Sequence, residues 1–172
     1  PMIPPLLSQT WKSAALPAAA QRFQQGWRTL NPGLDYRFYD DVACRAVMAE
    51  IFPEFLAAYD ALPAPVMRAD VFRYAVVYRD GGIYADIDME CLRPVASLLS
   101  LGDCLVSVEA RLGRTRQREL GYAVDTQIAN CIFAAAPGHP LFRRAVEKSF
   151  ALFAATDPQL ALSVEDITGP RM

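Results

Sequence analysis

The stretch from Val66 to Asp88 constrains the fold of this chain more than any other. Its first part, to about Arg79, has helical spacing. Met67, Val71, Tyr74, Ala75 and Tyr78 share one stripe, while Val66, Asp70, Arg73 and Val77 share another. Asp80-Gly81-Gly82 stops that helix, because glycine takes the left-handed conformation at a helix end without steric cost. Ile83-Tyr84-Ala85 follows at once as an apolar strand and runs into Asp86-Ile87-Asp88. A helix that passes into a strand across a glycine pair is a unit of a layered α/β structure, in which helices cover a sheet. The stripe containing Met67 and Val71 is the expected core face.

The rest of the chain repeats this alternation. Ile3 to Leu7 reads as a first buried strand that delivers the polar tip Ser8-Gln9-Thr10, followed by Trp11. Pro17 opens a helix in which Phe23, Trp27 and Leu30 fall on one face, and Asn31-Pro32-Gly33 ends it. Tyr36 to Tyr39 is a second short strand, after which Asp40 or Asp41 caps a helix running toward Glu50. Pro53 to Leu62 is again helical in pattern. Later strands are expected at Leu105 to Val108 and Ile128 to Ala134, and a last helix from about Leu141 to Ala154. The predicted fold is α/β, a mainly parallel twisted sheet flanked by helices. No internal repeat or low-complexity linker interrupts it.

Bulk composition excludes some classes of function. At 172 residues the chain is one domain, long enough to bury a core. A net charge of -2 argues against a nucleic-acid partner, which a basic excess would signal. The four cysteines (Cys44, Cys91, Cys104, Cys131) form no CxxC pair, and His139 is the single histidine, so no zinc spacing exists. Buried apolar thiols in a reducing compartment are expected. No run of about 18 apolar residues is present to span a bilayer. The first residues also lack a basic region followed by an apolar one, so a cytoplasmic protein is expected, with peripheral association at the inner membrane face as a variant. Only Lys12 and Lys148 are lysines among 17 basic residues, a bias of GC-rich coding sequence that suggests a bacterial source.

The tripeptide Asp86-Ile87-Asp88 carries the most chemistry. Carboxylates two apart at a strand end can project to one side and share a hard divalent cation with a diphosphate. Such a cation neutralises the charge that grows on a nucleoside-diphosphate leaving group as a glycosidic bond breaks. A solvated turn would show the same three residues. Position favours the chemical reading: ligands of doubly wound sheets lie outside the carboxyl ends of the strands, and Gly81-Gly82 permits close backbone approach to a ligand. Asp70 and Arg73, three apart on the preceding helix, could be a simple surface ion pair. Alternatively Asp70 accepts from donor hydroxyls while the forked guanidinium of Arg73 steadies phosphate or sugar oxygens.

These residues also carry a resemblance. Arg68-Ala69-Asp70-Val71-Phe72-Arg73-Tyr74, followed by Tyr78-Arg79-Asp80-Gly81-Gly82-Ile83-Tyr84-Ala85-Asp86-Ile87-Asp88, is similar to the signature of the DXD-containing sugar-transferase family, glycosyltransferase family 32. That family includes initiating α-1,6-mannosyltransferases of yeast and bacterial capsular-polysaccharide transferases, and resembles the glucosylating domain of large clostridial toxins. The opening Ile3 to Lys12, the segment Asn31-Pro32 with Tyr36 and Asp40-Asp41, the stretch Asn130 to Pro140, and Thr168-Gly169-Pro170 also resemble it. The resemblance implies a GT-A type nucleotide-sugar-binding fold, a UDP- or GDP-sugar donor, a divalent metal (Mn2+ or Mg2+), a glycan or lipid-linked acceptor, and retention of anomeric configuration. By position it places Trp11 on the nucleobase with Gln9 and Thr10 nearby. Asp70 and Arg73 fall on the donor sugar and ribose, Gly82 and Tyr84 beside the donor, and Asp86 and Asp88 on metal and diphosphate. No protein nucleophile is implied.

Two departures stand out. Ser8 occupies a position where the family usually has histidine. The family also continues past Thr-Gly-Pro with a part that adds a metal contact and acceptor wall, whereas this chain stops at Met172; the expectation is a single GT-A catalytic domain, 1–172, without that part. The competing expectation is a degenerate nucleotide-sugar-binding module without turnover. A phosphohydrolase would need a nucleophile on the first strand, which carries none. An EF-hand calcium loop fails because its sixth position is Cys91 rather than glycine. His139 lies in a turn and reads as structural. Asn130 fits either a sugar-facing or a core amide. Arg111, Arg114, Arg116 and Arg118 read as a long loop, either solvated or serving as a lid or dock for an anionic acceptor.

Overall fold

The computed structural model describes residues 2–122, 124–157 and 163–171. Five strands form one sheet in the order β2-β1-β3-β5-β4: β1 (Leu6–Thr10), β2 (Asp35–Tyr39), β3 (Gly82–Ala85), β4 (Cys104–Arg111) and β5 (Thr126–Ala135). β1 pairs in parallel with β2 and with β3, while β5 is antiparallel to both β3 and β4. Four strands therefore run one way and β5 alone is reversed, so the expected mainly parallel sheet is present. Because β1 lies between β2 and β3, the chain winds outward from it in both directions. That reversal of winding leaves a crevice at the carboxyl end of β1.

Seven helices accompany the sheet among the described residues: α1 (Ala18–Leu30), α2 (Asp41–Ile51), α3 (Leu56–Ala61), α4 (Pro65–Asp80), α5 (Arg114–Glu119), α6 (Pro140–Ala155) and α7 (Val164–Ile167). None is long and apolar enough to cross a membrane. Asp40 caps α2, its carboxylate accepting from the Ala43 N–H at 2.9 Å. The His139 ring accepts from the Leu141 N–H at the start of α6, which bears out its structural reading.

Several boundaries differ from expectation, each for a physical reason. The first strand is Leu6–Thr10 rather than Ile3 to Leu7, and all of it is buried. Its polar end stays in the strand because Thr10 and Gln9 find backbone acceptors, the carbonyls of Tyr39 and Ala85. The α4 stripe with Asp70 and Arg73, for which a surface ion pair is one of two readings, is also core: Asp70 to Val77 is buried without a break. This helix sits between α2, α6 and the sheet, so it has no solvent face there. The arginine run is not a long loop. Arg111 ends β4, and Arg114, Arg116 and Arg118 lie in α5, because β4 and β5 continue as a ribbon to the pair Arg111 and Thr126. Only Cys44 and Cys91 of the four cysteines are fully buried; Cys104 and Cys131 are half-buried, and all are free thiols.

The glycine pair has a different task from the one expected. A Cβ on Gly82, at φ +81°, would stand 2.6 Å from the Leu6 carbonyl oxygen, and one on Gly81 would stand 2.7 Å from the Pro137 nitrogen. The close approach is therefore of backbone to backbone, letting β3 enter between β1 and the end of β5. Gly82 opens β3, whereas the aspartates follow its other end, so it does not border a ligand there.

Candidate functional site

The carboxyl ends of β1, β2 and β3 bring Thr10-Trp11-Lys12, Asp41 and Asp86-Ile87-Asp88 to one edge of the sheet. Between them and the start of α4 lies a cleft of about 360 Å³, completed by Pro65, Val66, Ala69, Arg73 and Tyr84. A larger hollow of about 520 Å³ lies against α1 and β2, but its one carboxylate, Asp35, is already paired with Arg37. The three-strand edge is thus where acidic groups meet open space.

The Asp-x-Asp tripeptide is held as a turn. The Asp86 N–H donates to the Cys131 carbonyl at 2.9 Å, and the Met89 N–H closes back on the Asp86 carbonyl at 3.1 Å. The Trp27 indole N–H, reaching from α1, donates to the Met89 carbonyl at 2.8 Å. Within this turn Ile87 is buried and acts as an anchor, which leaves Asp88 exposed at the tip. Asp86 is intermediate: its Oδ1 accepts from the Tyr84 hydroxyl at 2.9 Å and lies 3.3 Å from Arg73.

Arg73 organises the floor of the cleft. Its guanidinium bridges Asp70 at 2.9 Å and Asp86 at 3.3 Å, donates to the Asn130 carbonyl at 2.7 Å, and lies over the Tyr84 ring at 5.3 Å. Its side chain is 6% exposed and that of Asp70 is 4% exposed, so this is a buried network rather than a surface pair. Burial pushes the Asp70 carboxyl up to about 6, with Arg73 and the Thr168 hydroxyl pulling it back down. Burial likewise raises the Asp86 carboxyl, against the opposing pull of Arg73 and Tyr84. For Arg73 burial works against the charge, but Tyr84, Asp86 and Asp70 outweigh it and raise its pKa. The guanidinium Nε of Arg73 and the indole Nε1 of Trp11 are buried donors without a protein acceptor. Both belong to residues that line the cleft.

Of the residues singled out from the sequence, Thr10, Trp11, Arg73, Tyr84, Asp86 and Asp88 line the cleft. Thr10 has its hydroxyl committed to the Tyr39 carbonyl at 2.8 Å. Gln9, expected near the base, is fully buried. Its amide donates to the Ala85 and Asp86 carbonyls, and its oxygen accepts from the Tyr36 hydroxyl, so it ties β1, β2 and β3 together beneath the turn. Asp70 sits behind Arg73 rather than in the cleft, its oxygens engaged by Arg73, Thr168 and Asn130. Lys12 and Asp41 line the cleft but were not singled out. The doubled Asp40-Asp41 held the clue: one aspartate suffices to cap α2, and Asp40 does so.

The donor set fits a divalent cation as a half-site. Two carboxylates on one turn suit a magnesium-like ion that completes its shell with phosphate oxygens and water. No group of three His, Cys, Asp or Glu side chains is gathered for a metal among the described residues.

A mixed sheet that reverses its winding at β1, with an Asp-x-Asp turn closing β3 above a buried arginine, defines a sugar-transferase domain of GT-A type. The comparisons are specific. Residues 17–105 match the model of the family described as "Glycosyltransferase sugar-binding region containing DXD motif". The chain belongs to that family. It is 40% identical over 99 residues to inositol phosphoceramide mannosyltransferase 2 of Schizosaccharomyces pombe, a match covering 58% of this chain and 29% of the relative. Inositol phosphoceramide mannosyltransferase 3 of the same yeast is 32% identical over 168 residues, covering 98% of this chain and 43% of the relative. The matched stretches thus cover less than half the length of either relative. These relatives are fungal and lend nothing to a bacterial source. Among solved structures, PaToxG glycosyltransferase superposes with a TM-score of 0.68 at 15% identity, over 98% of this chain and 66% of that one. The UDP-bound glycosyltransferase domain of the YGT toxin gives 0.58 at 8% identity, over 89% and 62%. At such identities these two establish the shared fold.

Proposed function

We propose that this domain binds a nucleotide sugar in the Trp11–Asp88 cleft and transfers the sugar, with retention, to a glycan or lipid-linked acceptor, dependent on Mn2+ or Mg2+. The observation that carries the reading is the Asp70–Arg73–Asp86 network, which fixes a cation and a carboxylate side by side beneath an exposed second carboxylate. A nucleoside diphosphate presents a flat base and a chain of anionic oxygens. Trp11 offers a face to the base, and Lys12 and Arg73 supply positive charge along the cleft. Asp86 and Asp88 are the residues that would hold a divalent ion, whose chemistry is to neutralise charge on the departing diphosphate. Tyr84 and Arg73 restrict the Asp86 carboxylate to one orientation, so little reorganisation is needed as that charge develops. The S. pombe relatives are named for mannosyl transfer to inositol phosphoceramide, which makes mannose a first donor sugar to try and a phosphorylated lipid a first acceptor.

A module that binds donor without turnover remains the second reading, favoured by the two-carboxylate donor set. Calorimetric titration with UDP and GDP, each with and without Mn2+, tests binding, and release of free sugar from UDP- and GDP-sugars tests turnover. Metal-dependent binding with hydrolysis supports the enzyme, and binding without hydrolysis supports the module. Absence of binding by either nucleotide overturns both. The anomer first released, followed by proton NMR, tests retention.

A further inference from the structure

We propose that Thr168 is a positioning residue of the donor site, acting through Asp70 to hold Arg73 against Asp86. The inference rests on the donor-site reading above and extends it to a segment outside the cleft. Thr168 is fully buried, and its hydroxyl lies 2.8 Å from Asp70 Oδ2 and 3.3 Å from the Val164 carbonyl. A hydroxyl has one proton, and the shorter, charge-assisted bond to the carboxylate is the stronger of the two. The threonine is itself fixed. Its carbonyl accepts from the Tyr74 hydroxyl at 3.0 Å, and its N–H donates to the Val164 carbonyl at 2.9 Å. The next residue has no room for a side chain, since a Cβ on Gly169 would stand 2.6 Å from the Glu165 Cα.

The consequence for Asp70 is geometric. The terminal torsion of an aspartate is soft, so a carboxylate bonded on one oxygen only can swing. Thr168 fixes Oδ2, and Oδ1 is thereby directed at the Arg73 guanidinium at 2.9 Å. The Arg73 Nη2 that meets Asp70 also lies 3.3 Å from Asp86, and its Nη1 donates to the Asn130 carbonyl. A hydroxyl 98 positions from Asp70 in sequence thus sets where the cation of the cleft stands.

The test compares Thr168→Val, which keeps the branched shape and loses the hydroxyl, with Thr168→Ser, which keeps the hydroxyl. Affinity for UDP and GDP with Mn2+ is measured per folded molecule, with donor hydrolysis alongside. Thr168→Val is expected to lower affinity or turnover at least about tenfold, the size expected on losing a hydrogen bond to a charged group. Thr168→Ser is expected to restore it to within about twofold on the same scale. In an Asp70→Asn background the valine substitution is expected to cost nothing further, because its route runs through the lost charge; a merely structural threonine would show additive losses. Wild-type protein that binds neither nucleotide overturns the donor-site reading and this inference with it. Wild-type binding with an unimpaired Thr168→Val, or additive losses, overturns the inference alone. Should valine not fold, Thr168→Ala replaces it. If only the serine variant folds, the hydroxyl serves the fold and the positioning role is refuted.

Discussion

Replacing Arg73 with methionine removes the cation from between two carboxylates while keeping an unbranched side chain in place. Side-chain exposures of 6% for Arg73 and 4% for Asp70 make this a buried pair, and Asp86 at 26% is partly shielded. Leaving one member of such a pair unmatched costs about 3–5 kcal/mol. Loss of the guanidinium from the Tyr84 ring adds about 0.5–2 kcal/mol. Urea unfolding at pH 7 should therefore show Arg73→Met less stable by about 3.5–7 kcal/mol. The deficit should depend on pH in a definite direction. Burial pushes the folded Asp70 carboxyl up to about 6, above the ordinary aspartate value of about 4, so its contribution to stability is present below about 4 and lost as pH rises through about 6. Without Arg73 that carboxyl rises further, since the guanidinium is the main group holding it down. The gap between variant and parent should then narrow on acidification to about pH 4 and widen above pH 6. Adding Asp70→Asn should recover about 1–3 kcal/mol relative to additivity, because the uncompensated charge is gone. A deficit below about 1 kcal/mol, or one constant across that pH range, would refute the buried-network account.

Asp88→Ala should abolish the metal-dependent part of nucleotide binding yet leave urea stability within about 0.5 kcal/mol, since the residue is exposed at a turn tip; calorimetry with and without Mn2+ decides. Trp11→Ala should weaken nucleotide binding by about 1–3 kcal/mol, by analogy with base–aromatic stacking, and unchanged affinity with a destabilised fold would make Trp11 core instead. Nucleotide affinity should fall as pH drops through about 6, where protonated Asp70 releases Arg73, and Asp70→Asn should flatten that limb in a pH titration. Gly82→Ala should destabilise by more than about 1 kcal/mol through its positive φ and the Leu6 backbone contact, while affinity per folded molecule stays unchanged because Gly82 lies at the other end of β3.

Some of this was readable from local chemistry. The end of α4 followed because its signal is local: a glycine of positive φ directly after the last turn. The Asp-x-Asp turn was placed correctly at a strand end for a similar reason, since a short apolar run before charged residues has few other outcomes. Spacing also put Asp70 and Arg73 on one face, and they do pair. It could not say whether that face met water, because a helical wheel reports only relative direction. What buries the pair is the surrounding α2, α6 and sheet, whose arrangement is a property of the whole chain.

The same limit explains the reversal of roles at Gln9, Gly82 and Asp70. The resemblance placed each beside a donor by its position in the sequence, and position alone does not say what a side chain faces once the chain is packed. Gln9 is held beneath the turn by its bonds to Ala85, Asp86 and Tyr36, while Thr10 and Trp11 border the cleft. Gly82 shares a strand with Tyr84 but begins it, and the contact that requires glycine there is with Leu6. Asp70 differs again: its neighbour in space is Thr168, and hydrogen-bond pairing across so long a loop leaves no local signature. A buried carboxylate demands donors, so the sequence posed the question of what satisfies Asp70. The answer came from a threonine near the other end of the described chain, whose hydroxyl reaches Asp70 Oδ2 at 2.8 Å.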